Sequence, residues 1–600
     1  MLKLSIFLVS FSRYIAIRKG GSAYIAKRLG GEHLWSPKTA KEQQLLNIVE
    51  EMALASGLPR PTVYILRREM SINAVTAGLN PYEAMIAVTQ GALDHLDRDE
   101  LQGVVAHEFA HILNDDYVLN MKMAGWLHGL LFFYIAGRTV VMSLSKTRPR
   151  RGKGSGQAAL LILLIGGLLM LGGWFGYLTA AVIEAAFCRS REHLADAFAV
   201  QFTRHSQGLA RALKKIGGSF GQETFINSQA LGLKSFFIAE PGSVLSGRLL
   251  SSHPPLAERL QALEPDWNGR YISLSIGTAS VSETLDGKRA KDKDASARVA
   301  AWSQQLGGLP ETWPKALMLA LAAEVQASDG PGPAYAQLSA CSLDSARQFH
   351  TTLPARLKQA INDSALAPSL IGAVFLSGQS EARDRQLGVV KKYSDLMPLS
   401  DVLELAGLLA PEAKLALLEL SVPTLKKLAG SRRLELGKAV NSLIVAERRL
   451  DLFQIAAGQI LKKTLGPILP GGLRSGRPRK AGQLEAARQD VVIVLSSLAH
   501  LGADSRAAAE AAFVAGFVHF GRWFQGSLAP VETVKAQALV EALDRLPAAP
   551  KKVRTGLIMA AMSCTMHDHR INRREYELLC ALAAALEIAL PWPPYDCAAG

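Results

Sequence analysis

The sequence predicts an α+β unit interrupted by a transmembrane helical hairpin and followed by an all-α C-terminal region. Three observations predict it. Helical and strand periods alternate between residues 41 and 113, an uncharged run of about 26 residues lies at 158–183, and from about Val299 the pattern is Ala/Leu-rich and helical almost to the end. At 600 residues the chain is too long for one domain, and 49% hydrophobic with 20% charged residues excludes disorder, collagen and a disulfide-stapled miniprotein. A net charge of +15 suits an anionic membrane surface or nucleic acid. The positive residues gather beside the apolar segments and in a linker, without a nucleic-acid-binding motif, so the expected partner is the lipid bilayer and not nucleic acid. The five cysteines are scattered with no C-x-x-C spacing, which leaves any metal to His and carboxylate ligands.

The elements follow in order. Leu4–Ile17 is about 14 residues long with Arg13 near its middle, too short to span, and residues 1–31 are read as a membrane-proximal or interfacial segment. Lys41–Ala55 has the period of an amphipathic helix. Thr62–Leu66, a run around Asn73–Ala77 and Met85–Thr89 read as strands, with Asn80-Pro81 as a turn between the last two. Asp97 followed by Glu100 is a capping box that opens a helix through residues 101–116. Two spans are expected at about 125–144, which carries His128 and Arg138, and 158–183, whose Gly-Gly pairs suit close helix packing. Lys146, Arg148, Arg150, Arg151 and Lys153 make the loop between them basic. The helical pattern resumes at 189–204, and the unit closes near 252–271, a stretch that begins Ser252-His253-Pro254. Residues 284–298 read as a charged linker, 299–465 as a helical domain, 466–483 as a second linker and 484–600 as a further helical domain.

His107-Glu108-Phe109-Ala110-His111 carries the chemistry. On a helix, the i, i+4 spacing sets both imidazoles on one face where they can close on one zinc ion, while Glu108 projects beside it as a general base for a water the metal acidifies. A catalytic zinc needs a third protein ligand. Glu192, about 80 residues on, is the candidate, and Asp196 on the same helical face could orient a ligand imidazole through its other N–H. His193 is a rival ligand some 100° around that helix. A solvated acidic face balanced by Arg189 and Arg191 is the alternative reading of Glu192 and Asp196.

HEFAH on a helix, then a hydrophobic hairpin, then S-R-x-x-x-A-D resembles the HtpX-like membrane zinc metalloproteases, a group that includes the CAAX prenyl endopeptidases, over roughly residues 40–270. The resemblance implies a zincin-like metalloprotease unit over 32–283, one zinc ion on His107, His111 and Glu192, Glu108 as base and Asp196 holding a ligand. It also implies that Ile72-Asn73-Ala74 lies in a strand beside the cleft, where Asn73 and Ala74 would hold an extended peptide. His253 and Arg259 resemble a later H-P motif; His253 could stabilise the oxyanion or sit on a surface loop. Where the family often reads N-G-D, this chain has Asn114-Asp115-Asp116, so Asp115 is expected to take the left-handed conformation at a helix end. Asp568–Glu575 is similar to a run in TerB-like tellurite-resistance domains, and also reads as a helix start with Asn572 as N-cap and Glu575 in the third position.

The function expected is that of a multi-pass inner-membrane zinc endopeptidase acting on protein or peptide substrates in membrane-protein quality control. The resemblance implies a catalytic unit facing the cytoplasm, whereas a cytoplasmic basic loop between the spans would put that unit on the far side; the helical C-terminal region would recruit protein partners. Two alternatives stand beside it, a zinc-stabilised membrane scaffold without turnover and a zinc hydrolase acting on a lipid or modified terminus.

Overall fold

The computed structural model describes residues 2–146, 155–219, 238, 253–273, 343–344, 346–448, 450–466, 484–523, 526–531, 534–568 and 571–587. The chain divides into two units, Met1–Ile48 with Pro61–Leu309, and Val49–Arg60 with Pro310–Gly600. The predicted linkers at 284–298 and 466–483, the latter past Gly466, lie outside the described residues.

In the first unit the β-branched runs form strands where expected, β2 (Thr62–Leu66), β3 (Ala74–Ala77) and β4 (Met85–Thr89), and a two-residue β1 (Glu32–His33) joins them. The order is β1-β2-β4-β3, with β4 parallel to β2 and antiparallel to β3, which leaves β3 at an edge. Helices α1 (Leu2–Leu29), α2 (Ala40–Ser56), α3 (Gln90–His95), α4 (Arg98–Leu113), α5 (Asp116–Lys146), α6 (Ser155–Thr203), α7 (Ser206–Ser219) and α8 (Leu256–Leu263) accompany the sheet. The predicted interfacial segment Leu4–Ile17 lies in α1, with its side chains up to residue 10 outside the described set. Further along, α1 bends at Gly21, whose φ of 56° and ψ of −150° suit a residue without Cβ.

Strand alternation sorts β3 onto two partners. Val75 and Ala77 join Ile17, Ile25 and Leu29 of α1 and Met121 of α5 in one buried cluster, whereas Thr76 turns to α4. That helix opens on the expected capping box, in which Asp97 accepts from the Glu100 amide and Glu100 accepts from the Asp97 amide. Glu100 also pairs with Arg211 and Lys215 of α7, and a Cβ on Gly103 would stand 2.6 Å from the Leu209 amide nitrogen, so α4 and α7 meet backbone to backbone. With partners on this many sides, nearly all of α4 is buried. It ends at Asn114. Asp115 then takes the left-handed conformation, at φ 58°, and α5 starts at Asp116.

The predicted spans fall within α5 and α6. Part of their side chains, and the basic loop at 147–154, lie outside the described residues; among the described residues no helix is long and apolar enough to cross a membrane. One glycine of each pair makes a close approach. Gly166 faces Gly137 and Val141 of α5, and Gly173 faces the Tyr134 backbone, while Gly167 and Gly172 meet nothing. Helix α6 runs unbroken for 49 residues from the apolar run into the segment that carries Glu192 and Asp196.

The described part of the second unit is helical, with short 3₁₀ turns. Its residues 49–60 come from far upstream in sequence and contribute a buried ionic cluster. Glu50 accepts from Asn362 and pairs with Arg60 at 3.1 Å and His350 at 2.7 Å. Burial pushes the Glu50 carboxyl up, but Arg60 and His350 outweigh it and hold the carboxyl below its usual range. Asn572 and Glu575 form the expected capping box on the helix Arg573–Leu586.

Glu419, on the helix Lys414–Leu425, has no such compensation, and burial raises it to about 7. A carboxyl with a raised folded-state value favours folding at acid pH, and this contribution is lost as the pH rises through about 7. Glu419→Gln is therefore expected to raise the thermal midpoint of the helical unit by a few degrees at pH 8.5 and leave it unchanged at pH 4. An equal midpoint shift at both pH values would contradict the assignment.

Candidate metal centre

Helix α4 supplies His107 and His111, one turn apart, and α6 brings Glu192 to them. The His107 and His111 Nε2 atoms are 3.2 Å apart, and the Glu192 oxygens lie 3.6 Å from His107 Nε2 and 3.5 Å from His111 Nε2. All the donor atoms fall within 4.8 Å of one another. A tetrahedron with metal bonds near 2.05 Å has edges of about 3.3 Å, so this spacing fits a single zinc ion.

The far sides of both rings support that fit. His107 Nδ1 is 3.0 Å from Asp196 Oδ1, and His111 Nδ1 is 3.1 Å from Asp116 Oδ2. A carboxylate beside each Nδ1 favours the N–H on that nitrogen and leaves the Nε2 lone pairs converging, an arrangement that asks for a cation between them. Asp196 is clamped in turn. Arg259 donates Nε and one Nη to its two oxygens at 2.8 and 2.6 Å and another Nη to the Ile238 carbonyl at 2.9 Å, and that second nitrogen stands 3.4 Å from Glu192. Arg191 pairs with Asp116.

The charges follow from these contacts. Burial lowers His107, but Asp196 and Glu192 outweigh it and bring it up to about 9. His111 is held below its usual value by burial and by His107. Burial would raise Glu192 and Asp196, yet His253 with His107 holds the first well below the carboxylate range, and Arg259 with His107 lowers the second. Glu108 behaves differently. Its burial dominates the opposing pull of His111 and His107 and leaves it raised. Its Oε2 accepts from the Thr76 hydroxyl at 2.6 Å, and its Oε1 is buried with no hydrogen-bond partner among the described residues.

Several sequence expectations are corrected here. Glu192 and Asp196 are 3% and 1% exposed, so they do not form a solvated acidic face. His193 meets Glu258 at 3.4 Å and stands apart from the metal group. His253 is not on the surface; it is buried, with Nδ1 3.0 Å from Glu192. Asn73 and Ala74 do lie at the start of the edge strand, but their polar groups engage this chain's own Ile238. The Ile238 amide stands 3.1 Å from Asn73 Oδ1 and 3.2 Å from the Ala74 carbonyl. Asp116, Thr76 and Ile238 went unread as site residues. For Asp116 a signal existed in the Asp115-Asp116 pair, because a left-handed residue at 115 turns the chain back toward His111.

Residues 39–266 match the model of peptidase family M48. The chain is 36% identical over 231 residues to the "Protease HtpX homolog" of Thermoanaerobacter pseudethanolicus, covering 38% of this chain and 74% of that protein. The chain belongs to peptidase family M48. The likeness repeats at 34% identity over 260 residues with the protein of the same name from Dictyoglomus thermophilum, covering 43% of this chain and 79% of the relative. With that of Listeria welshimeri serovar 6b it is 34% over 232 residues, covering 38% and 75%. No solved structure matches. This HtpX-like M48 chain is thus a metallopeptidase, and its helical residues beyond 266 lie outside the M48 match.

Proposed function

We propose that this M48 chain is a membrane-anchored zinc endopeptidase that hydrolyses internal peptide bonds of protein substrates, in the quality control of membrane proteins. The observation that carries the reading is the convergence of His107, His111 and Glu192 beside Glu108, whose Oε1 is buried and unpartnered. Zinc bound by those three residues would supply Lewis acidity, acidifying a water and polarising the scissile carbonyl. Glu108 takes the proton of the attacking water and returns it to the leaving amine. Asp196 and Asp116 keep His107 and His111 in the tautomer that ligates, and Arg259 holds Asp196 in place. His253, seated on Glu192, is the candidate for stabilising the developing oxyanion. An extended substrate pairs with the edge of β3, displacing or continuing from Ile238.

Membrane anchorage rests on the uncharged run 158–183 and on the exposure of Leu161, Leu164, Leu168, Leu171 and Phe175 along it, side chains that ask for apolar surroundings. The likeness to HtpX-like proteases supports a catalytic unit on the cytoplasmic side of the cell membrane, and the helical region is proposed to take protein partners.

Detergent-purified protein is expected to cleave casein, to lose that activity on treatment with 1,10-phenanthroline and to recover it with zinc. Glu192→Gln is expected to purify without stoichiometric zinc. Cleavage that survives complete metal removal would refute the activity, and one tightly held zinc in Glu192→Gln would refute the ligand assignment.

A further inference from the structure

We infer that Thr76 is a positioning residue for the reaction, holding the Glu108 carboxylate in one orientation and coupling it to the strand edge on which the substrate lies. The inference rests on the peptidase reading above. Thr76 Oγ1 donates to Glu108 Oε2 at 2.6 Å, a short charge-assisted bond, and the two residues are 3% and 1% exposed, so water does not compete for either partner. The Glu108 carbonyl, the other acceptor near the hydroxyl among the described residues, is at 3.5 Å and too far to hold it. A β-branched side chain on a strand is stiff at χ1, so the hydroxyl is delivered from a set direction. With Oε2 occupied, Oε1 is the carboxylate oxygen left to take a proton, and it is the one with no partner among the described residues.

The backbone of Thr76 faces elsewhere. The Asn73 carbonyl accepts from the Thr89 amide on the β4 side, while the Ala74 carbonyl accepts from Ile238 on the outer side. Alternation along an antiparallel edge therefore puts the main-chain groups of Thr76, two residues on, on the same outer edge as those of Ala74. One residue thus presents its main chain to a pairing peptide and its side chain to the general base. A peptide that docks along β3 steadies the strand and, through the hydroxyl, the carboxylate.

Thr76→Val keeps the shape and β-branching and removes the donor. It is expected to lower kcat about 10- to 100-fold with KM within about twofold of the parent and one zinc per chain retained. Thr76→Ser should restore kcat to within a few-fold, and Thr76→Val should cost nothing further in a Glu108→Gln background. Parent-like kcat in Thr76→Val, a serine variant as slow as the valine variant, or loss of zinc from Thr76→Val alone would overturn the inference. Crystal structures of the zinc-loaded parent and Thr76→Val proteins decide the matter without turnover. The carboxylate should rotate in the variant, and an unmoved Glu108 overturns the inference. Failure of the peptidase reading would show separately, as no Glu108-dependent cleavage by the parent.

Discussion

Glu108→Gln is expected to reduce casein hydrolysis by about 10²- to 10⁴-fold while zinc stays at one per chain. Glutamine preserves the volume of the side chain and can still accept from Thr76 through its amide oxygen, so the local packing around α4 and β3 survives. What it lacks is a basic oxygen where Oε1 now stands buried and unpartnered. The substitution removes no ligand, because the metal group consists of His107, His111 and Glu192. Zinc content, measured on the same preparation as activity, separates loss of the base from loss of the site. Cleavage at the parental rate by a fully zinc-loaded Glu108→Gln protein would exclude Glu108 as the base.

Arg259→Met is expected to destabilise the catalytic unit by about 3–5 kcal/mol. Arg259 is among the largest fully buried side chains of the protein, and it is the cation that faces Asp196 with a two-pronged contact while also standing 3.4 Å from Glu192. A methionine fills similar volume but leaves the Asp196 carboxylate buried beside the His107 ring nitrogen without a guanidinium to face it, and it also releases the Ile238 carbonyl. Urea unfolding followed through zinc release would report the loss as a lower midpoint. Arg259→Lys should recover less than half of it, since an ammonium cannot present the planar fork that engages both Asp196 oxygens. A methionine variant that unfolds at the parental midpoint would show that Asp196 does not depend on this contact.

Local patterns were legible in the sequence because each depends on residues a few positions apart. The i, i+4 imidazoles with an acid between them, the three β-branched runs, the capping box at Asp97–Glu100 and the left-handed Asp115 all read correctly from spacing and side-chain type. The helix cap at Asn572–Glu575 read from its spacing in the same way. Residues whose role depends on distant segments did not read in this way. Arg259 surfaced through a motif, without its contact to Asp196, which lies 63 residues away. Thr76 looked like an ordinary strand residue, because the period-2 rule says which face it shares but not that Glu108, 32 residues on, waits there. Residues 49–60 read as the end of an amphipathic helix and a turn, and nothing in them announces a buried partner at His350.

By itself, then, the sequence determined the chemistry on offer: two imidazoles with a carboxyl beside them on one helix, and a carboxylate helix to follow. Only the tertiary structure decided which of the acids and histidines are buried together, because burial and the choice of counter-charge are properties of packed surfaces. Glu192 and Asp196 could have been a solvated face; α6 lays them against His107 of α4 and Arg259 of α8, which compensate the cost of removing them from water. His253 could have been a surface histidine, and the turn before α8 seats it on Glu192 instead.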